Sequence, residues 1–353
     1  MKLLKSACLI AVICITACHT PAPVVGQAPP PEITKDGSGR PNWVNRPADA
    51  YNPSLYKSAV GSGPNREMAD ARAFGEMVSI FGQKISDNLS IVETYKEKVS
   101  SGSVSVQNSV ASEEAISRSA SMNQLIGAEI GDRWQDTRTK TFYAVAVMQI
   151  PQARQLYTDM IDSNLQLIEK SLNIPSADRA SFDAIARYQL AATLADTNGV
   201  FANVLSVLGA PYRKAELKSG EEYRFEASNV AKTIPVNVTV TGDDNNRIKN
   251  AFSSALTGKG FRPGNNNSRF VINVTVSLKP VTFPGNNNKF TTWVVDAQLT
   301  DKTSGQVLIP YNINGREGHA SQDNADRFAI NAAEKKVKED YLEVLTEYLE
   351  SAL

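Results

Sequence analysis

The chain has 353 residues, a length that predicts two domains rather than one. Hydrophobic residues make up 42% of the sequence and charged residues 21%, which excludes wholesale disorder, collagen and disulfide-scaffold classes. The 37 lysines and arginines balance the 37 aspartates and glutamates. Net charge therefore indicates neither a nucleic acid nor an acidic surface as a partner.

The first 17 residues have the pattern of a cleaved signal peptide. Lys2 and Lys5 give a basic start, and the apolar stretch that follows is too short to span about 30 Å of hydrocarbon. It ends in Ile-Thr-Ala-Cys, which resembles the lipobox of bacterial lipoproteins. The resemblance implies cleavage between Ala17 and Cys18 and attachment of diacylglycerol and palmitate to Cys18. The alternative is a plain secretory signal, or an uncleaved anchor, with a chance cysteine.

The remaining cysteines and the residue after Cys18 indicate how the processed chain is held. Cys8 and Cys14 would leave with the signal peptide and Cys18 would be acylated, so no thiol remains for a disulfide. The next residue is His19, whereas an Asp at this place resembles an inner-membrane retention signal. We therefore expect a lipid anchor in the outer membrane, with the protein facing the periplasm or, alternatively, displayed at the cell surface.

Residues 18–40 predict a tether between the anchor and the first domain. The segment is rich in proline at its start, then contains glycine and serine, and it has no apolar period. Proline-rich chain favours extended conformations of about 3 Å per residue, so the tether would hold the first domain some tens of Å from the bilayer.

The block over 41–173 has the pattern of a small α+β domain. It opens with Pro-x-Trp-Val-x-x-Pro at 41–47, and a strand over 56–63 then precedes a helix that Asn65 can cap. The rest of the block predicts, in chain order, a strand over 84–99, a polar helix over 104–122, strands over 125–134 and 141–150, and a helix that Pro151 opens.

These motifs resemble the twenty-kilodalton lipoprotein (LPP-twenty) family of the outer membrane. The residues that carry the resemblance are Pro-x-Trp-Val-x-x-Pro, Tyr56-x-x-x-Val-Gly-x-Gly, Trp134-Gln-Asp and the strand from Thr141. The amino-terminal domain of the flagellar assembly protein FlgT is similar. The resemblance covers 41–173 and implies a small α+β domain with no agreed catalytic residues to carry over.

A helical connector is predicted over 174–211. Apolar residues recur at helical spacing, Asn198-Gly199 is expected to break the helix, and Gly209-Ala210-Pro211 ends it. This ending is the predicted domain boundary.

The last block, 212–353, predicts the order β-α-β-β-β-α. Its first helix can be capped by Asp243 or Asp244, and its last helix runs over 322–349. The order resembles periplasmic assembly domains of the LpoB, CsgG and TolB amino-terminal kinds. The predicted fold class is therefore α+β, with two small mixed domains joined by the helical connector.

Residues able to carry chemistry are few. The processed chain has two histidines, His19 and His319, and neither a His-Glu-x-x-His zinc motif nor a Gly-x-Ser-x-Gly elbow is present. The Gly61-Ser62-Gly63 run lacks the Lys-Ser/Thr ending of a phosphate loop and is better explained as a β-to-α turn. Asp243-Asp244-Asn245-Asn246 lacks the spacing of a calcium loop and fits helix capping. We predict no catalytic residue, no cofactor and no metal site.

Two repeated loops and three tryptophans are the remaining candidates for contact residues. Pro-Gly-Asn-Asn-Asn occurs at 263–267 and again at 284–288, on either side of a predicted strand. Both copies are explained by flexible turns, or alternatively by polar contact loops at opposite ends of the sheet. Trp43, Trp134 and Trp293 are explained by core packing, or alternatively by apolar or carbohydrate stacking.

The predicted function is that of a lipid-anchored, non-enzymatic binding or assembly module of the cell envelope. Its partners would be the membrane, through the acyl chains on Cys18, and a protein of the flagellar, secretion or wall-synthesis machinery; no nucleic acid is expected. The alternatives are a surface lipoprotein that contacts a host or another cell, and a cell-wall hydrolase with an unrecognised carboxylate pair.

Overall fold

The computed structural model describes residues 28–100 and 125–351. These residues form two β-sheets with helices packed against them, which confirms the predicted α+β class. The first sheet is antiparallel in the order β1-β3-β2, with β1 at Tyr56–Gly63, β2 at Glu129–Gln135 and β3 at Phe142–Gln149. Its helices are α1 (Arg66–Phe81), α2 (Gln83–Ser86), α3 (Leu89–Ser100) and α4 (Ile150–Leu172).

Both faces of the first sheet are covered. Along β3, Ala146 points into a core shared with α1 and α4, while Val145 points into a smaller core on the opposite face. This smaller core contains Trp43 and Tyr51, whose side chains are almost completely buried. The Pro-x-Trp-Val motif at 41–47 is therefore a structural cover for the sheet.

Helix α1 passes very close to strand β1. A Cβ atom on Gly61 would lie 2.1 Å from the backbone nitrogen of Ala73 and 2.3 Å from the carbonyl oxygen of Ala69. Real Cβ atoms do not approach backbone this closely, so the position requires glycine. Asn65 caps α1 as predicted, because its side chain accepts a hydrogen bond of 2.9 Å from the N–H of Met68.

Helix α5 (Phe182–Val207) lies within 174–211, the segment predicted to be a connector. Its first turn belongs to the carboxy-terminal core, where Phe182 stacks on Phe261 with ring centroids 4.8 Å apart. Its later turns belong to the amino-terminal core and pack along α4. One continuous helix therefore contributes to both cores.

The helices around this segment differ from the prediction in two ways. The expected break at 198–199 is absent, because α5 continues through it and buries Asn198. A further helix, α6 (Gly220–Ala231), begins with a capping box in which Ser219 and Glu222 bond reciprocally, and it packs along α5.

The prediction of a strand over 84–99 is wrong, because α2 and α3 occupy this segment. Ile85, Val92 and Tyr95 are buried and recur at helical spacing. The ring of Tyr95 packs edge-to-face on Phe201 of α5, with centroids 5.4 Å apart. The polar helix predicted over 104–122 lies outside the described residues.

The second sheet has five strands in the order β5-β4-β6-β7-β8. Within 212–353 the elements follow the order α-β-α-β-β-β-β-α, so helix α6 and a two-residue strand are additional to the predicted β-α-β-β-β-α. Strands β4 and β6 are parallel, whereas β6, β7 and β8 form an antiparallel meander. The elements are β4 (Pro235–Thr241), α7 (Arg247–Gly258), β5 (Arg262–Pro263), β6 (Phe270–Val281), β7 (Lys289–Asp301), β8 (Gln306–His319) and α8 (Gln322–Ser351). Helices α7 and α8 pack on one face of this sheet.

Arg269 ties the second sheet to the turn before α5. Its guanidinium donates hydrogen bonds of 2.7–3.0 Å to the carboxylate of Asp301 and longer ones of 3.4 Å to Asp178. The hydrogen bonds from Arg269 hold the pKa of Asp301 below its usual value. No helix among the described residues is both long and apolar enough to cross a membrane.

Candidate functional site

The residues predicted for lipid attachment and signal cleavage, Cys18 and Ala17, lie outside the described residues. Two of the three tryptophans are buried: Trp43 donates a hydrogen bond of 2.9 Å to Asp132, and Trp293 lies in the second core. Trp134 is half-buried, with its ring 5.5 Å from that of Tyr143. The core-packing interpretation thus accounts for Trp43 and Trp293.

The other polar residues examined in the sequence have structural roles. His319 is the last residue of β8, and its Nδ1 accepts a hydrogen bond of 3.2 Å from the N–H of Ser321. Asp243 caps α7 by accepting hydrogen bonds of 3.0 Å from the N–H groups of Arg247 and Lys249. Within the described chain, no three His, Cys, Asp or Glu side chains are grouped so that they could hold a metal ion.

The repeated Pro-Gly-Asn-Asn-Asn loops lie at opposite ends of β6, as the sequence predicts. Each loop contains the same turn: the N–H of Asn267 bonds to the side chain of Asn265, and the N–H of Asn288 bonds to that of Asn286, both at 2.9 Å. The two loops share a sequence and this hydrogen bond between side chain and backbone. Their backbones differ, because Gly285 has a φ of +78° in open space whereas Gly264 has no positive φ and packs against Ser268 and Asn237.

The second sheet leaves one face open. Side chains of β4, β6, β7 and β8 that point away from α7 and α8 are exposed or half-buried, except for the buried Val271, and no described helix packs over them. We call this surface the open face. Its central positions carry mostly uncharged polar side chains, namely Thr239, Thr241, Asn273, Thr275, Ser277, Thr292, Asp296, Gln298, Asn312 and Asn314.

The length of the open face suits a macromolecular partner. Strands β6, β7 and β8 contain 12, 13 and 14 residues, so the face is about 40 Å long. Strand β8 lies at the edge of the sheet. Proline has no N–H to donate, so Pro310 is tolerated there, where one side of the strand has no partner strand. A partner could therefore contact side chains of the open face and backbone groups of the β8 edge.

At the end of the open face, basic and aromatic side chains meet. Lys279, Thr292 and Arg316 are directly opposite one another across β6, β7 and β8. Beyond them, the guanidinium of Arg316 lies 4.8 Å from the ring centre of Phe283 and 5.9 Å from that of Phe290. We call Lys279, Phe283, Phe290 and Arg316 the hairpin-end cluster.

This end of the sheet extends past its helices. Leu278 points to the helix-covered side yet is 37% exposed, as is Phe283 in the loop between β6 and β7. The rings of Phe283 and Phe290 pack edge-to-face with centroids 5.0 Å apart. Gly318, opposite Phe290, leaves the space that this ring fills, since a Cβ atom there would lie 2.6 Å from it.

Sequence reasoning did not find the hairpin-end cluster. Lys279 and Arg316 are far apart along the chain and become neighbours only through two antiparallel pairings. The sequence signal is weak, because aromatic residues lie near both Pro-Gly-Asn-Asn-Asn loops and only Phe283, before the second, is directly adjacent to one. An open groove of about 540 Å³ lies at the end of α4 and is lined by Gln166, Glu169, Lys170, Leu172 and Asn173.

No protein-family model matches the chain, and no curated protein matches it. Among solved structures, the secreted protein HP1454 of Helicobacter pylori is similar, with 14% identity, a TM-score of 0.45, and coverage of 82% of this chain and 98% of that one. A minor lipoprotein of Acinetobacter baumannii also matches, with 12% identity, a TM-score of 0.26, and coverage of 35% of this chain and 95% of that one. A protein described as a lipoprotein of Caulobacter crescentus matches with 15% identity, a TM-score of 0.25, and coverage of 34% of this chain and 94% of that one. At these values neither fold nor activity transfers to this chain, and the resemblance to the twenty-kilodalton lipoprotein family stays a prediction.

Proposed function

We propose that the protein is a lipid-anchored, non-enzymatic binding or assembly module of the cell envelope. The proposed anchor is the acylated Cys18 in the outer membrane, and the proposed partner is a protein of the flagellar, secretion or wall-synthesis machinery. The observation that carries the proposal is the open face, a long sheet surface with helices packed on its other side only. Such a surface is available to a partner without rearrangement of the fold.

The chemistry of the open face fits recognition of a polar protein surface. Asn, Thr, Ser and Gln side chains both donate and accept hydrogen bonds, and Asp296 is the single carboxylate among the open-face positions of the described β4, β6, β7 and β8. A weak contact of this kind would suffice, because the anchor confines the protein to the envelope and raises the effective concentration of its partner.

Photo-crosslinking in intact cells tests the proposal. A photoreactive amino acid is placed on the open face at Thr275 or at Asn314, and separately at Glu221, an exposed position on α6 that serves as the control. We expect the two open-face probes, but not the Glu221 probe, to capture one envelope protein. Capture should be lost when Cys18→Ala removes the anchor.

Two results would overturn the proposal. Equal capture of abundant neighbours from all three positions would show that the open face has no specific partner. Cleavage of the protein by protease added to intact cells, together with that result, would favour the surface-exposed alternative.

A further inference from the structure

The hairpin-end cluster differs from the rest of the open face in both charge and polarity. The central rows of the face are neutral apart from Asp296, which lies four residues from Thr292 along β7, about 13 Å away. The end row carries Lys279 and Arg316, about 10 Å apart across one intervening strand. The exposed phenylalanine and leucine side chains border this cationic row.

We propose that the hairpin-end cluster binds the anionic headgroup layer of a lipid bilayer. Lys279 and Arg316 are both exposed, and neither forms an ion pair in the described structure. Exposed cations near an anionic bilayer are attracted to its surface, each contributing about a five-fold gain in affinity.

The apolar side chains of this end give a bilayer a second means of contact. Phe283 and Leu278 are each 37% exposed and Phe328 is 39% exposed. Phe283 lies in the loop between β6 and β7, beyond the last strand pair, where it can enter the headgroup layer before the strands reach it. Aromatic rings combined with flanking cations are the composition that favours the membrane interface.

The acidic groups near this end do not neutralise the cluster. Glu317 is half-buried and points to the helix-covered side, and Asp323 lies in the first turn of α8. The carboxylate of Asp326 already accepts hydrogen bonds from Thr291 and Gln322. The open-face side of the hairpin end therefore presents cations and rings to solvent, and this charge is complementary to anionic lipid.

This inference goes beyond the proposed function, because it assigns a second membrane contact that does not require Cys18. If both are correct, the anchor brings the hairpin end to the bilayer and the cluster orients the domain there. The intact mass of the purified protein shows separately whether Cys18 carries acyl chains, so failure of the anchor and failure of the cluster are distinguishable.

The experiment uses the two loops of identical sequence as probe sites. Asn288→Cys, in the loop beside the cluster, and Asn267→Cys, at the same place in the distant loop, are each labelled with an environment-sensitive fluorophore. The full purified protein is reconstituted with vesicles of phosphatidylcholine alone or with added phosphatidylglycerol. We expect a blue shift from the label at position 288 that grows with the phosphatidylglycerol fraction and weakens at high salt, and no shift from the label at 267.

Charge variants complete the test. Lys279→Gln with Arg316→Gln should weaken the lipid response about 25-fold, whereas Lys249→Gln with Arg262→Gln, which removes the same charge elsewhere, should leave it unchanged. An unchanged response in the first pair overturns the proposal. The proposal is also overturned if the emission of the label at position 288 does not change when phosphatidylglycerol is added. In that case, crosslinking of the cluster to a protein in cells would identify a protein contact instead.

Discussion

The two sheets of this protein differ in how their faces are covered. The amino-terminal sheet is packed on one face by α1, α4 and α5 and on the other by the segment with Trp43 and Tyr51. The carboxy-terminal sheet is packed by helices on one face only. Substitutions on the first sheet should therefore act mainly on stability, whereas those on the open face of the second should act mainly on binding.

The largest effect is expected at the contact between β1 and α1. Gly61→Ala places a Cβ atom within 2.3 Å of two backbone atoms of α1, which cannot yield locally. We expect a loss of about 5 kcal/mol in the free energy of unfolding, measured by urea denaturation. The control is Gly75→Ala on α1, where nothing lies within 4 Å and alanine should stabilise the helix by about 0.5–1 kcal/mol. Equal effects of the two substitutions would contradict the close packing of α1.

Removal of the cover from the first sheet is next in size. Trp43→Ala empties a fully buried site and deletes the hydrogen bond to Asp132, so it should cost about 4 kcal/mol. Trp43→Phe keeps an aromatic ring but cannot donate that bond, and should cost about 1–2 kcal/mol. Hydrogen exchange should show the loss of protection concentrated in β1 to β3. A uniform loss over both sheets would contradict separate cores.

A smaller, pH-dependent effect is expected where the second sheet joins α5. Asp301→Asn removes the carboxylate that Arg269 contacts and should cost about 2 kcal/mol near neutral pH. The folded state lowers the pKa of Asp301, so its contribution is present above its unfolded pKa of about 3.9 and disappears as pH falls through the lower folded value. Unfolding measured from pH 7 to pH 2 should show wild type and variant converging at the acid end.

Asp296→Asn is the matched control for Asp301→Asn. Its carboxylate lies on the open face and is exposed, so the same chemical change should alter the free energy of unfolding by about 0.5 kcal/mol or less near neutral pH. Divergence of the Asp301→Asn and wild-type curves with falling pH would contradict the assigned role of Arg269.

The smallest effect on stability is expected on the open face itself. Asn273→Ala combined with Gln298→Ala removes two opposed polar side chains that no described element covers, and should change the free energy of unfolding by about 0.5 kcal/mol or less. The same variant should reduce photo-crosslinking from the probe at Thr275. A large loss of stability would show that the face is covered in the folded protein.

Patterns confined to one segment were sufficient to predict much of the carboxy-terminal domain. Strands there alternate cleanly, and Asp243 caps α7 as expected. The same reasoning failed over 84–99, where loose alternation hid a helical period. The buried side of α3 is defined by contacts such as that of Tyr95 with Phe201, which are more than 100 residues apart. Local patterns do not contain contacts of that range.

The helix predicted to join two domains shows the same limit. Apolar residues at helical spacing correctly indicate α5, and glycine after Asn198 suggests a break that does not occur. The helix persists because its two ends are held in different cores, one of them through Phe182. Packing at both ends outweighs the modest helix-breaking tendency of a single glycine.

The helix caps and the alternation of the long strands depend on contiguous residues and were readable directly. Such features follow from covalent order and from periods of two and 3.6 residues. The lipid site at Cys18 stays a prediction, and residues 28–40 of the predicted tether contact the first domain, as in the hydrogen bond of 2.8 Å from the Tyr56 hydroxyl to the carbonyl of Pro29. The open face and the hairpin-end cluster could not be read this way. Sheet register brings Lys279 beside Arg316, and the placement of α7 and α8 determines which face stays exposed, so a chain with balanced total charge acquires a locally basic, aromatic end.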